Sequence, residues 1–336
     1  MKKMDKAVVF LFRPGKAGRR RTHHFDFGPA RQGLLRRLLH PLARRSQGID
    51  WESAHVKSLL PTLYPSTIVR CLMQAQIAAR HAPEGFSAHC SSDTDVRNSI
   101  VIVPKQMILR QGLLHRLKKR GNRLLLDLID GFFEPESLAG ADGLLCCSRK
   151  ALAHYAAGRG LPPVFFVEHC ADVRLPRNIR GPAEFSPYYF GAPQNLFLPA
   201  SLRRQVTPVF TDQDNVADPE WFRSLPLANL HYAVRPPDAG PAFKPFIKGI
   251  TAALCGANIL VHKDDGDAAL YLGEDYPYLI REECGEKVVA DYLRKAREDF
   301  GGRDWNRGLS AMRRIRELAE EKTIADQFWA AVAAVA

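Results

Sequence analysis

The stretch from Ala228 to Ile280, ANLHYAVRPPDAGPAFKPFIKGITAALCGANILVHKDDGDAALYLGEDYPYLI, has the periodicity that decides the fold class. Leu230–Val234 is a short apolar run typical of a strand, and the proline-rich segment Arg235–Ala242 is typical of a loop. Apolar residues at helical spacing then predict a helix over Lys244–Cys255, which a glycine ends. Asn258–His262 is the next strand. Strands that alternate with a crossover helix indicate an α/β fold with a parallel sheet.

The predicted start of this helix concentrates charged side chains. Free backbone N–H groups and the positive end of the helix dipole attract anions. With Pro245 in the first turn, Lys244 would cap the helix and Lys248 would lie one turn further along the same face. Arg235 ends the preceding strand, at the edge where open α/β sheets bind ligands. This set suits a diphosphate; the alternative is that both lysines form a solvated helix face.

The run ITAALCGANILVHKDDGD resembles the donor-binding half of GT-B glycosyltransferases, where a helix leads through small residues and a glycine into a strand and a polar loop. The run Lys244–Lys248 is similar to that of retaining bacterial surface-polysaccharide transferases with basic residues at this helix start. The resemblance implies two Rossmann-like domains facing across a cleft, with a nucleotide-diphosphate sugar as donor. Phe243 and Thr251 depart from it, because they occupy the positions of two glutamates in the commonest retaining families.

The resemblance also implies the residues of the site. Those on the donor side are Gly191, Arg235, Lys244, Lys248 and Asp267. The glycine follows a predicted strand and lets the backbone approach a nucleotide closely. On the acceptor side, Asp130 ends the run LLLDLID, and His169 follows the last strand of the first half. His169 is either a hydrogen-bonded histidine between domains or a catalytic residue. No metal or other cofactor is implied, because such a site can stabilise a departing diphosphate without one.

The first half of the chain has its own βα succession. Strands are expected at Ala7–Phe12, Ser99–Val103, Arg123–Ile129, Gly143–Cys147 and Val164–Val167, and helices at Leu34–Arg45, Ser66–His81 and Ser148–Ala157. The segment Arg13–Gly33 is predicted to be a loop, and the proline-rich Arg174–Pro187 a linker. We therefore expect an acceptor domain over residues 1–180 and a donor domain over 181–310. In the resembled fold a final helix, here within 311–336, returns to the first domain.

Charge and cysteine content narrow the class of protein. The net charge of +12 implies anionic partners, and clusters such as Arg19–Arg21 come without a nucleic-acid-binding signature. A basic face suits peripheral contact with an anionic membrane that carries a lipid-linked acceptor. No apolar run reaches the length of a membrane span, and the N-terminus lacks the form of a signal peptide. Seven cysteines without paired spacing predict reduced thiols in the cytoplasm, with Cys146, Cys147 and Cys255 buried.

The resemblance thus implies a hexosyltransferase, of the retaining type, that acts in surface polysaccharide synthesis. It would move a sugar from a nucleotide diphosphate to a glycan or lipid-linked acceptor, in the cytoplasm or at the inner face of the membrane. A GT-B-like binding module without turnover is the alternative, because the two glutamates are missing. A basic nucleic-acid-binding protein is a third hypothesis, which charge alone supports.

Overall fold

The computed structural model describes residues 6–14, 22–27, 44–176, 179, 181–211, 216–217, 219–236 and 243–336. The basic cluster Arg19–Arg21 and most of the predicted helix Leu34–Arg45 lie outside these residues. The described chain divides into two compact units. Unit 1 consists of the residues up to Cys147 together with Ala151–Cys170 and Glu321–Ala336, and unit 2 consists of Ser148–Lys150 and Ala171–Glu320.

Unit 1 is built on a sheet whose described strands follow the order β3-β2-β4-β1-β5-β6-β7-β8. The strands are β1 Lys6–Leu11, β2 His23–Asp26, β3 Arg44–Gln47, β4 Phe86–Ser91, β5 Ile100–Pro104, β6 Arg123–Ile129, β7 Gly143–Cys146 and β8 Val164–Phe166. Neighbours pair in parallel, except that β2 runs antiparallel to β4. The central strands are buried on both faces, which explains why β5 and β6 are almost continuously apolar.

Helices flank this sheet. They are α1 Ala54–Leu59, α2 Pro65–Thr67, α3 Gln74–Arg80, α4 Lys105–Ile108, α5 Leu113–Lys119, α6 Pro135–Leu138, α7 Arg149–Ala156 and α12 Glu321–Val335. The helix predicted at Ser66–His81 is present, but a π-helical segment, Ile68–Met73, joins α2 to α3. Such segments are rare and widen the helix locally. Here the π segment carries Arg70 into the interior of the unit.

Two predictions for the first half are wrong. The predicted loop Arg13–Gly33 contains β2, and the predicted helix Leu34–Arg45 ends in residues that belong to β3. The sequence of β2, HHFD, is short and polar, and it becomes a strand because it pairs with β3 and β4 on either side. Strand formation of this kind depends on neighbours distant in sequence, so a local pattern does not reveal it.

The last helix, α12, packs within unit 1. Its apolar face is buried, and the ring of Phe328 stacks on that of Phe10 with centroids 5.1 Å apart. The indole Nε1 of Trp329 donates a hydrogen bond to the carbonyl oxygen of Ala78, at 3.0 Å. The expected return of the C-terminal helix to the first unit is therefore present.

Unit 2 has a separate, fully parallel sheet in the order β10-β9-β11-β12-β13. Its strands are β9 Pro187–Gly191, β10 Thr207–Phe210, β11 Leu230–Tyr232, β12 Asn258–His262 and β13 Leu279–Ile280. Its helices are α8 Ile247–Leu254, α9 Ala268–Leu272, α10 Glu286–Glu298 and α11 Arg303–Leu318, with 3₁₀ turns at Pro193–Asn195, Ala200–Leu202 and Glu220–Leu227. Two separate sheets with crossover helices, one mainly and one fully parallel, confirm the predicted pair of Rossmann-like units. Among the described helices, none combines the length and apolarity that crossing a membrane requires.

The cysteines behave as predicted. All seven lie within the described residues and are free thiols, and all but Cys284 are buried. Burial raises the pKa of the Cys146 and Cys255 thiols to about 12, so both stay protonated at neutral pH. The prediction that Cys146, Cys147 and Cys255 are buried and unpaired is confirmed.

Candidate functional site

The candidate site of unit 2 lies at the start of α8. The helix begins at Ile247, with Phe246 as the N-cap residue, so the predicted start at Lys244 is wrong by three residues. Proline disfavours helical backbone in the residue before it, which excludes Lys244 from the helix. Phe246 instead forms a tight turn in which the amide of Ile247 donates to the carbonyl oxygen of Pro245, at 2.9 Å. Lys248 therefore lies in the first turn, and Lys244 precedes the helix.

The ammonium group of Lys248 is shielded from solvent. Its Nζ has no hydrogen-bond partner among the described residues and lies 4.3 Å from the centroid of the Tyr189 ring. The pKa of Lys248 is lowered to about 7, mainly by burial and also by the positive charges of Arg235 and Lys244, while Asp265 opposes the shift. Because a buried cation without an acceptor is costly, its position favours a function that supplies an anion.

Gly191 leaves room beside this ammonium group. It ends β9 with a φ of +153°, a backbone conformation that favours glycine. A Cβ atom at this position would lie 2.7 Å from the hydroxyl oxygen of Tyr189 and 3.4 Å from Nζ of Lys248. A side chain at residue 191 would therefore fill the space next to the lysine.

Arg235 is buried and held by two partners. Its Nε lies 3.0 Å from a carboxylate oxygen of Asp265, and its Nη1 donates to Oδ1 of Asn195 at 2.8 Å. These contacts fix the guanidinium at the end of β11 and leave its charge close enough to act on Lys248. The sequence did not indicate the role of Asp265, which lies in the polar loop between β12 and α9.

The same polar loop packs on the segment before α8. Gly266 has a φ of +57°, and a Cβ atom there would lie 2.2 Å from the carbonyl oxygen of Lys244, so only glycine permits this approach. The loop therefore fixes the backbone of Lys244 beside the helix start.

Asp267, also predicted to bind the donor, has a different set of contacts. It is fully buried, and its carboxylate accepts hydrogen bonds from Oγ of Ser148 at 3.1 Å and from the amides of Arg149 and Lys150 at 2.6 and 3.2 Å. Ser148, Arg149 and Lys150 belong to the same unit as Asp267, so its carboxylate is hydrogen-bonded within unit 2. The geometry gives no support to a contact between Asp267 and a ligand.

A cavity of about 110 Å³ opens next to Lys248, and sequence analysis missed most of its lining. Phe190, Trp221 and His231 contribute three aromatic walls, with the His231 ring 4.9 Å from that of Phe190. His231 is buried, and its Nε2 has no hydrogen-bond partner in the described part of the chain. Burial, with the charge of Lys248, lowers the pKa of His231 to about 3, so the ring is neutral. The cavity thus combines flat apolar walls with two unsatisfied polar atoms, Nε2 of His231 and Nζ of Lys248.

Unit 1 contains the two residues predicted for the acceptor side. Asp130 follows β6 and forms an ion pair with Lys105, the first residue of α4. His169 is buried, and its Nδ1 lies 2.8 Å from the carbonyl oxygen of Cys170. Burial and the charge of Arg70 lower the pKa of His169 to about 4, although Asp130 opposes the shift. The imidazole is therefore neutral near pH 7, and both of its proposed roles, structural and catalytic, stay open.

The backbone next to Asp130 is strained. Ile129 has a φ of +57°, which is a true outlier for a β-branched residue. Its carbonyl oxygen lies 3.6 Å from Sγ of Cys147. Strained backbone concentrates at functional sites, so this position at the carboxyl end of β6 adds weight to a role for Asp130.

Comparisons with known proteins identify the fold. The sequence matches no protein-family profile and no curated protein. The structure is similar to that of Anabaena HepE in complex with UDP-glucose, with 12% identity, a TM-score of 0.53, and 97% of this chain and 99% of that chain covered. It is also similar to sucrose-phosphate synthase from Thermosynechococcus elongatus, with 13% identity, a TM-score of 0.51, and 98% of each chain covered. Both are GT-B glycosyltransferases, so the chain has the GT-B fold.

A third match is to a longer protein. The pneumococcal O-GlcNAc transferase GtfA, in complex with UDP and GlcNAc, has 9% identity and a TM-score of 0.50, with 79% of this chain and 60% of that chain covered. The chain spans 55–60% of the length of the longer structures that it matches. At such identities the likeness establishes the fold and leaves the substrate to be argued from the site.

Proposed function

We propose that this protein is a glycosyltransferase that takes a nucleotide-diphosphate sugar as its donor. The observation that carries the proposal is the position of Lys248, whose ammonium is buried in the first turn of α8 with no hydrogen-bond partner among the described residues. The N-terminus of a helix attracts phosphate, and a desolvated lysine beside it strengthens that attraction. A diphosphate would supply the missing acceptor.

The neighbouring residues suit the two ends of such a donor. The diphosphate would lie against the backbone of Gly191 and the start of α8, with Lys244 and the fixed charge of Arg235 beside it. These cations would stabilise the departing nucleotide diphosphate without a metal ion. The aromatic cavity next to Lys248 would receive the planar base, with Nε2 of His231 as a hydrogen-bond acceptor or donor. UDP-glucose is the first ligand to test, because it is bound in the HepE structure.

The acceptor is proposed to bind on unit 1, where Asp130 and His169 would act on it as catalytic residues. The excess of 12 positive charges favours an acceptor that carries phosphate, such as a lipid-linked glycan at the inner face of the membrane. We extend the proposal to a retaining transfer in surface polysaccharide synthesis, in the cytoplasm, with residues 1–180 as acceptor domain and 181–310 as donor domain.

The test is calorimetric titration of Lys248→Ala with UDP-glucose. Loss of one desolvated charge contact to phosphate should cost about 1.5–3 kcal/mol, which lowers the affinity roughly tenfold to a hundredfold. Lys287→Ala is the matched control, because Lys287 is exposed on α10 of the same unit. This variant should bind UDP-glucose with the same affinity as the parent. Equal affinities of the parent and Lys248→Ala would remove Lys248, and with it this site, from the proposal.

A binding module without turnover is the second candidate. The observation that favours it is the absence of the two carboxylates at the helix. Phe243 is buried, and the hydroxyl of Thr251 donates to the carbonyl oxygen of Ile247 at 3.0 Å, so neither residue replaces a glutamate. A protein that binds UDP-glucose normally, but neither hydrolyses it nor transfers the sugar to any glycan offered, would support this candidate over the enzyme.

A further inference from the structure

Three side chains with metal-ligating atoms converge on the sheet of unit 1. Strands β2 and β4 are antiparallel, with Asp26 directly opposite His89, and His24 lies two residues away from Asp26 on β2. Side chains two residues apart on a strand point to the same face, so the register places all three together. One oxygen of Asp26 lies 2.8 Å from Nε2 of His24 and 3.0 Å from Nδ1 of His89. The three ligand atoms all lie within 4.8 Å of one another.

The cluster is shielded without being closed. The side chains of His24 and His89 are 8% and 12% exposed, and that of Asp26 is 29% exposed. An ordinary surface cluster of polar side chains would be far more exposed than the two imidazoles are. The exposed part of the carboxylate leaves a route by which an ion and its water could enter.

A fourth residue orients one of the rings. Oγ of Ser87 lies 2.9 Å from Nε2 of His89, on the side of the imidazole that faces away from Asp26. If Nδ1 binds a metal ion, Nε2 carries the ring proton, and this N–H donates a hydrogen bond to the hydroxyl of Ser87. Such a contact fixes the tautomer and the ring orientation of a metal-binding histidine.

We propose that His24, Asp26 and His89 bind one divalent transition-metal ion, of which Zn²⁺ is the best candidate. Two imidazoles and one carboxylate form a ligand set suited to zinc, whereas calcium and magnesium prefer oxygen ligands alone. Three protein ligands leave one position for water or for an anionic ligand. Zinc–nitrogen bonds of about 2.0–2.1 Å separate tetrahedral ligands by roughly 3.3 Å. The two contacts of Asp26 would widen by a few tenths of an ångström, and the two ring nitrogens, which lie within 4.8 Å of each other, would take a similar separation.

Binding requires that the protons between the rings and Asp26 move. The ion takes the place of the proton on Nε2 of His24 and of the proton on Nδ1 of His89. Each ring then holds a single proton on its other nitrogen, and a ring that was charged releases its second proton to water. No oxidation or reduction is involved. The competing interpretation is a hydrogen-bond network in which Asp26 accepts from both histidines and no ion binds.

The experiment titrates chelator-treated, full-length protein with Co²⁺ and follows the visible absorption, then adds Zn²⁺ to displace it. We expect one Co²⁺ per chain, with a spectrum that lacks the near-ultraviolet bands of thiolate ligands, and a rise in melting temperature with Zn²⁺. His89→Gln and Asp26→Asn should each weaken binding by more than about tenfold, since even the loss of an orienting contact costs that much.

The matched control is His115→Gln, because His115 is exposed on α5 and is not a member of the cluster. This variant should bind the ion as the parent does. Circular dichroism without metal verifies that each variant is folded. The proposal is overturned if the parent binds no Co²⁺, if thiolate bands dominate, or if His89→Gln binds as tightly as the control. This readout is independent of the donor site in unit 2, so either proposal can fail alone.

Discussion

Each unit of this protein shields a cationic group from solvent, and the two groups differ in whether they have hydrogen-bond acceptors. Arg70 in unit 1 is 1% exposed and donates to both oxygens of Asp127, at 2.9 and 3.3 Å, and to the carbonyl oxygens of Val167 and Glu168, at 3.3 and 3.0 Å. Lys248 in unit 2 has an equally shielded Nζ and no hydrogen-bond acceptor among the described residues. The hydrogen bonds of Arg70 are therefore supplied by the fold itself, whereas Lys248 needs an acceptor that the described residues do not supply.

The difference teaches how to tell a structural charge from a functional one. Burial alone marks both residues, and both have opposite charges nearby. What separates them is whether the buried donors are satisfied, because an unsatisfied buried charge is costly and persists where function requires it. The three predictions on variants and the one on pH that follow test this contrast, from the largest expected effect to the smallest.

Arg70→Met should destabilise the protein most. It leaves the carboxylate of Asp127 buried without its partner, and breaking a buried pair in this way costs about 3–5 kcal/mol. Urea denaturation monitored by circular dichroism measures the free energy of unfolding. The double variant Arg70→Met, Asp127→Leu should recover much of the loss, because it removes both charges. If the double variant is as unstable as the single one, the damage comes from packing and not from a stranded charge.

Lys248→Met should separate binding from stability. We expect the affinity for UDP-glucose to fall roughly tenfold to a hundredfold, which is about 1.5–3 kcal/mol, through the loss of a charged contact to phosphate. The free energy of unfolding should stay the same or rise, because methionine fills the space without burying a charge. A clear loss of stability in this variant would show that Lys248 is satisfied in the protein and would end the contrast with Arg70.

The depressed pKa of Lys248 predicts the pH dependence of both properties. Its pKa is about 7 in the folded protein against an ordinary 10.5. Between these values the unfolded chain binds more protons than the folded one, so the unliganded protein gains stability as pH rises from 7 to 10.5. Donor binding needs the charged form, so the affinity should be constant below pH 7 and fall up to about tenfold per unit above it.

The appropriate ligand for this pH series is UDP-glucose, whose diphosphate has no group that titrates in this range. Lys248→Arg is the matched variant, because arginine keeps its charge throughout and should give a flatter profile. Equal slopes above pH 7 in the parent and in Lys248→Arg would assign the pH dependence to a different group.

Arg80→Ala should have the smallest effect. Arg80 on α3 lies 2.9 Å from Glu321 at the start of α12, and both side chains are substantially exposed, at 45% and 28%. Exposed pairs contribute about 0–1 kcal/mol, since water screens them. Thermal denaturation of this variant should therefore resemble that of the parent. A large loss would mean that this contact, and not the apolar face of α12, holds the helix in place.

Local pattern was enough to predict the parts of the fold that are regular. Strands such as β1, β5 and β6 are mostly apolar, and α8 has helical periodicity, so each is visible in a short window of sequence. β2 and β4 are not, because the polar sequence of β2, HHFD, and the mixed sequence of β4, FSAHCS, lack a continuous apolar run and become strands only when their partners are in place. The start of α8 was misplaced because Pro245 excludes the residue before it from the helix.

The candidate site was predictable in its charges and not in its environment. Lys248 and Arg235 were predicted as site residues from their positions at a helix start and a strand end. The burial of Lys248 depends on Tyr189 and Gly191, and the fixed position of Arg235 depends on Asp265, and none of these pairings follows from spacing. Asp267 was assigned to the donor from the resemblance, and the hydrogen bonds from Ser148 and Arg149 to its carboxylate do not follow from sequence spacing.

The return of α12 to unit 1 has a consequence for how the chain is made. The core of unit 1 includes Ile324, Phe328 and Val332, yet residues 171–320 lie between it and the rest of that unit. A ribosome adds about 5–20 residues per second, so the completing helix emerges roughly 10–30 s after β8. During that interval the apolar face around Phe10 is uncovered while unit 2 can already fold. A chaperone that covers unit 1 during this interval would protect that apolar face from aggregation.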